Sequence, residues 1–252
     1  MATNNSINNT VEENDFSVNR STAGTAVESS VEHSDNSNTG SHARLLAQSG
    51  GGSGGDAFLL LNIPSGQDYS FGVDNSDSDI LKIQDDADPS TGNNLWSMTS
   101  SGERNMPLQP YFCAYNSVQD NDVTGDATNY TVIFDTELVD ANSDYNTGTG
   151  TFTCSVDGNY DFGAKVYTLD NAAAHTAAFT GVITSDNSFN MYDCPAKIFV
   201  AADGGVDYLI NVTAPMDAAD TAFIRVKVTG GTKIIDIAAS VDDAYFYGAL
   251  AY

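Results

Sequence analysis

From residue 56 onwards the chain is written in short apolar runs broken by turn formers. The first runs fall at 58–63, 69–73, 80–83 and 95–98, separated by Pro64-Ser65-Gly66, Asp74-Asn75-Ser76 and Asp88-Pro89-Ser90, a strand-and-turn punctuation. After Met106-Pro107-Leu108-Gln109-Pro110, which reads as a hinge, further strands are predicted at 111–115, 130–134, 151–156, 160–169, 177–184, 197–201, 208–213, 223–228, 234–237 and 245–252. The clearest alternation lies in one of these runs, where Tyr160, Phe162, Ala164 and Val166 share one face and Asp161, Gly163 and Lys165 the other. A period of two marks a half-buried strand. Asp157-Gly158, Asp203-Gly204 and Gly230-Gly231 supply turns. No amphipathic helix of useful length is visible, and only residues 43–47 suggest a single helical turn. Many short strands at this spacing predict an all-β sandwich or barrel.

Residues 1–48 are different. They are rich in Asn, Ser, Thr, Asp and Glu, and their scattered apolar residues, such as Val11, Phe16 and Val18, show no period that would bury a core. An extended polar arm over residues 1–49 is expected, joined by the glycine-rich stretch 49–55 to the first apolar run. That stretch contains a literal G-x-S-x-G at residues 51–55. It lacks the preceding strand and following helix of a nucleophile elbow, so it is read as chance. Residues 50–108 form a β module too small to bury much alone, which should gain stability by association with copies of itself. Within it, residues 74–79 alternate oxygen-bearing side chains but lack the Gly and distal Glu of an EF-hand, so a turn is preferred to a calcium site. The chain closes on an aromatic strand, 244–252, which would sit inside a sheet or at a subunit interface rather than at a free edge.

Charge narrows the function. Nine Lys and Arg stand against 34 Asp and Glu in 252 residues, a formal charge of -25, which disfavours nucleic acid and anionic membrane as partners. The chain starts without a basic and apolar leader, so assembly in a cytoplasm is expected, and no run is long enough to insert in a membrane. Cys113, Cys154 and Cys194 show no CxxC spacing and read as small core residues. The Asn-x-Ser/Thr triplets at Asn4, Asn8, Asn129 and Asn211 matter only in a secreted chain. His33 and His42 lie in the arm, and His175 is expected on the surface with no catalytic partner. No catalytic residue, metal ligand or cofactor site is indicated, although the charge leaves room for divalent cations between subunits.

One stretch is more specific. Phe134, Asp140, Tyr145, Phe152, Gly158, Tyr160 and Phe162 reproduce an aromatic spacing that resembles the C1q-like domains of the C1q/tumour-necrosis-factor superfamily. The chain departs at Ala164, where the family usually has another aromatic. Residues 109–115 resemble that family's first strand and residues 245–250 its last, so the resemblance spans 109–252. It implies a ten-stranded jelly-roll head, a compact homotrimer and recognition rather than catalysis. It places the seven motif residues in the structural core and Phe112, Tyr115, Tyr245 and Tyr247 at the trimer interface. Residues 50–108, with Tyr69-Ser-Phe71-Gly-Val73-Asp74 and Gly102-Glu103-Arg104-Asn105, resemble the stalk segments of phage and bacterial fibre proteins.

These resemblances imply a homotrimeric virion fibre or adhesin on a particle surface. Residues 1–49 would anchor it to other virion proteins, and the head would attach to a host-surface glycan or protein. The ligand-binding residues are not identified beyond the distal loops 140–149 and 186–190. Two other functions compete: a capsid-decoration or tail-junction protein without a receptor, and a glycan-active enzyme on a β scaffold.

Overall fold

The computed structural model describes residues 45–193 and 204–251. The predicted strand at 197–201, Cys194, His33, His42, Asn4, Asn8 and nearly all of the polar arm lie outside the described residues. Leu45 to Ala47 contain no helical turn.

The first body is an antiparallel meander of five strands, β1 (Ala57–Leu61), β2 (Tyr69–Asp74), β3 (Ile80–Gln84), β4 (Asn94–Met98) and β5 (Arg104–Asn105), paired in chain order. Register sorts its side chains by face. Ala57, Val73, Leu81 and Met98 form one cross-strand row, and Leu59, Phe71, Ile83 and Trp96 the next, with Leu61 beside Tyr69. All are on one face, because directly paired residues project to the same side. On the opposite face Ser70, Asp74, Lys82, Gln84 and Ser97 are buried. The usual amphipathic order is therefore inverted: the polar face is covered and the apolar face is open.

What covers the polar face is the module's own loops. Gln84 donates to the Pro89 carbonyl at 2.9 Å, Asn93 donates through its backbone and amide to Asp85, and Asn75 reaches Asp56 and the Gly54 carbonyl at 2.8 Å each. At the centre, Lys82 Nζ lies 2.7 Å from both Asp74 and Asp77. Asp74 also caps the 3-10 turn Asn75–Asp77 by accepting from the Ser76 and Asp77 amides. The oxygen-rich stretch 74–79 is thus a turn that encloses the chain's own ammonium group. Burial acts to raise the Asp74 pKa, yet the bonds from Lys82 and Ser76 hold it below the ordinary carboxylate value. Burial acts to lower that of Lys82, and the two aspartates hold it above the ordinary value.

The second body is a jelly-roll of two facing antiparallel sheets. The first sheet contains β6 (Tyr111–Tyr115), β7 (Asp120–Thr124), β9 (Thr136–Asp140), β12 (Gly158–Asn171), β15 (Gly204–Met216), β17 (Ile235–Ile237) and β18 (Ala244–Leu250). The long strand β12 is its spine, pairing with β15 along one edge and with β18 and β17 along the other. The second sheet contains β8 (Tyr130–Thr131), β10 (Tyr145–Asn146), β11 (Thr151–Thr153), β13 (Ala177–Thr184), β14 (Ser188–Asp193) and β16 (Thr221–Thr229). The closing strand β18 is interior, with β12 on one side and β6 on the other.

Rings fill the space between the sheets. Phe112 on β6 stacks on Tyr145 at 4.8 Å and on Phe152 at 4.9 Å, both from the second sheet, and meets Phe246 of β18 edge-on at 4.9 Å. Phe152 also packs on Tyr160 and Phe162, and Phe134 on Phe246. All these rings are at most 5% exposed. Asp140 turns the chain into this cluster by accepting from the Asp144 and Tyr145 amides. Gly248 leaves the room that the rings need: a Cβ there would lie 2.6 Å from atoms of both Phe112 and Phe162.

His175 departs from its expected surface position. It is fully buried, its Nδ1 accepting from the Ala172 amide at 3.0 Å, and a Cβ on Gly231 would fall 2.4 Å from its ring. The Gly230-Gly231 turn leaves the gap that the imidazole fills.

This packing is open to direct measurement. Gly248→Ala should destabilise the head by about 1–3 kcal/mol, the usual cost of overpacking a closed core, read as a lower urea midpoint with an unchanged slope. Lys82→Met leaves Asp74 buried without its partner and should cost roughly 3–5 kcal/mol in the small module. Trp96 is the chain's single tryptophan, so its fluorescence reports on that module alone. In the unsubstituted chain the depressed Asp74 contributes fully above its unfolded value of about 3.9, and that stability should drain away as the pH falls through the lower folded value. The raised Lys82 contributes fully below about 10.4, and its share is lost as the pH rises through the higher folded value.

Candidate self-association face

Strand alternation divides the first head sheet into two surfaces. Phe112, Phe162, Phe246 and Tyr208 point inward, so Tyr111, Cys113, Tyr115, Tyr245, Tyr247, Leu209 and Asn211 project from the outer face. Cross-strand pairing brings them together: Tyr245 stands beside Tyr115, Tyr247 beside Cys113, and Ala249 beside Tyr111. On the other flank of β18, Tyr247 faces Gly163 and Tyr245 faces Lys165. The result is a tyrosine patch across β6, β18 and β12, with Tyr111, Tyr247 and Leu209 well exposed.

Gly163 shapes this patch. A Cβ on it would lie 2.3 Å from the far end of the Tyr247 ring and 2.5 Å from Asn211 Oδ1, so only glycine lets the ring lie flat across β12. Tyr247 then donates its hydroxyl hydrogen to Asn211 on β15 at 3.0 Å, and its ring stacks loosely on Tyr245 at 6.4 Å. Phe112 departs from the expected interface set. Its ring is fully buried inside the chain, because alternation along β6 puts it on the face opposite to Tyr111 and Tyr115.

Acids outnumber cations at the border of the face, and Lys165 offsets part of their charge. Lys165 is bound by Asp207 at 3.2 Å and Asp243 at 3.8 Å, and donates to the Asp242 carbonyl at 2.7 Å. Asp161 accepts from Thr213. Each of these bordering groups has a local partner, and the tyrosines between them carry no charge, in a chain that carries -25. Burial pushes the Cys113 thiol on this face up from its ordinary pKa, as it does that of the buried Cys154, whose Sγ donates to the Val156 carbonyl at 2.9 Å. Both cysteines are free thiols kept protonated by their surroundings.

The two loops singled out for recognition sit elsewhere. Residues 140–149 include β10 and lead into a turn in which Gly150 donates to the Asn146 carbonyl. Residues 186–190 take in the end of the tight turn between β13 and β14 and the start of β14, the turn being closed by the Thr184 amide on the Asn187 carbonyl. Among the described residues no three His, Cys, Asp or Glu side chains gather as a metal would require, and no helix is long and apolar enough to cross a membrane.

Known proteins resemble part of this chain. It is similar to the globular domain of zebrafish complement 1qA, at 21% identity with a TM-score of 0.42, over 57% of this chain and 98% of that one. It is also similar to murine APRIL crystallised at pH 8.0, at 5% identity with a TM-score of 0.40, over 57% and 99%. No curated protein matches it. Residues 114–206 match the C1q domain family, and the head of this chain is C1q-like.

Proposed function

We propose that this protein is a non-enzymatic, homotrimeric fibre or adhesion component of a virion, whose C1q-like head both joins three chains and presents loops to a host surface. The observation that carries the reading is the tyrosine face: an uncharged, partly exposed aromatic patch on the sheet that holds the first and last head strands. Tyrosine is the residue most at home at such interfaces, with an apolar body and a polar tip. C1q-like domains are often trimeric and involved in binding, which agrees with this use of the patch. The finer assignment to a phage particle is supported by the resemblance of residues 50–108 to fibre stalk segments and by the polar composition of residues 1–49. Attachment in the proposed arrangement gains from multivalency, since three weak sites on one rigid head act together on a repetitive surface.

Sedimentation equilibrium of the full chain tests the assembly. A mass near three times 26.6 kDa is expected, and a monomer at micromolar concentration would overturn it. Tyr247→Asp should dissociate the trimer while leaving the head folded, and Gly163→Ala should weaken it by forcing the Tyr247 ring off β12. Because each chain carries -25, assembly should strengthen as the salt concentration is raised tenfold to about 0.1 M, when the screening length shortens from about 30 to about 10 Å. For the role itself, particles lacking this protein should lose adsorption to host cells. Intact adsorption with reduced particle stability would assign it to decoration instead.

A further inference from the structure

We propose that the open apolar face of the N-terminal meander is a second self-association surface, occupied by the same face of the other two copies in the trimer, so that three sheets pack inward around a shared axis. This rests on the trimeric reading of the head and extends it to a different part of the chain.

The fold itself holds this face open. Its central row, Leu59, Phe71, Ile83 and Trp96, runs across four strands, and Leu59 and Phe71 are 51% and 45% exposed in the single chain. A sheet normally turns such a row into its own core. Here Asp74, at the end of β2, and the loops carrying Asp77, Asp85 and Asp88 fold over the other side, fastened by the buried Lys82 ion pairs and the Gln84 to Pro89 bond. The side chains are therefore fixed outward, and a rearrangement that hid them would strand a buried lysine and aspartate.

Charge and area identify the occupant. The two main rows contain no carboxylate, and the one charge on this face is Arg104 at the edge strand, paired with Met98, whereas the module's acidic loops lie against the opposite face. Copies meeting through the apolar faces bring no carboxylates together and leave the acids pointing away from one another. Four strands of five residues, at about 4.8 Å between strands and about 3.3 Å per residue, offer roughly 300 Å² of face. An independent complex needs about 800 Å² from each partner, so this surface is too small to recruit a foreign protein or to dimerise unaided. It is large enough for copies already held together. The connection to the head is short and fastened: Asn142 donates to the Leu108 carbonyl at 3.0 Å and Leu250 to the Pro110 carbonyl at 3.0 Å. A head trimer thus holds three such faces at an effective concentration on the order of millimolar.

Trp96, the single tryptophan, lies in the row and reads the contact directly. In the full chain, acrylamide, a neutral quencher unaffected by the protein's charge, should quench Trp96 several-fold less efficiently than in the monomeric Tyr247→Asp variant. Phe71→Asp should keep the trimeric mass and the far-UV circular dichroism of the parent while restoring quenching to the monomer level, and Phe71→Leu should remain protected. A trimer whose Trp96 is as accessible as in the monomer would overturn this inference and leave the head trimer standing. A monomeric parent chain would overturn the head reading, and the stalk packing with it. A dimer with a protected Trp96 would overturn the threefold arrangement.

Discussion

The head depends on one stack of rings that bridges its two sheets. Phe112 is held between Tyr145 at 4.8 Å and Phe152 at 4.9 Å, with Phe246 set edge-on against it. Offset stacking and edge-to-face contact add about 0.5–1.5 kcal/mol per pair beyond the area that the rings bury, and here such contacts join strands from the start, middle and end of the head. No local segment forms the cluster by itself. Once it has formed, alternation along β6, β12 and β18 fixes which side chains face outward. The tyrosine patch is thus a consequence of the core: each inward phenylalanine on β6 or β18 implies an outward tyrosine or cysteine next to it.

Two glycines on neighbouring rungs make both surfaces compatible. Gly248 opens room for Phe112 and Phe162 inside, and Gly163, on the adjacent strand, opens room for Tyr247 outside. A side chain at either position would disturb one face only. The meander solves the opposite problem. Its interior is polar and closed by an ammonium between two carboxylates, so its stability rests on complete pairing rather than on area, and its apolar face is left open. Buried ion pairs contribute little net stability but make their own disruption costly. Such pairing keeps the sheet's hydrophobic side turned outward.

The fold is legible in the sequence where period and spacing are regular. The strict alternation from Tyr160 to Val166 foretells a half-buried strand, and the all-β jelly-roll reading describes the architecture seen. Facing is harder. Phe112 and Tyr115 lie in one five-residue strand, and only the parity of their positions separates a core ring from a surface one. Short polar strands leave little trace because pairing, not composition, makes them: Asp120–Thr124 and Thr136–Asp140 carry little apolar pattern but are recruited by β17 and β6. The burial of His175 is hidden for a related reason. It depends on a glycine turn distant in the chain, and no local pattern announces such a gap. Likewise, residues 74–79 contain oxygens that suggest a cation, but the cation is Lys82, contributed by the next strand.

A charge of -25 on each chain sets the terms on which copies can meet. Repulsion between whole molecules is long-ranged and falls with salt, whereas burial of apolar surface acts only at contact and is nearly indifferent to it. Contact between copies is therefore least opposed where the side chains themselves are uncharged, and the tyrosine patch and the apolar rows of the meander are two such surfaces. Lys165 is the informative residue in this respect. It is among the few cations in the chain, and it is engaged by Asp207 and Asp243 at the border of the tyrosine patch, where it offsets part of their charge. The same logic places Lys82 behind the meander's sheet. Lys165 beside the tyrosines and Lys82 behind the apolar rows each offset part of the acid nearest to those two surfaces.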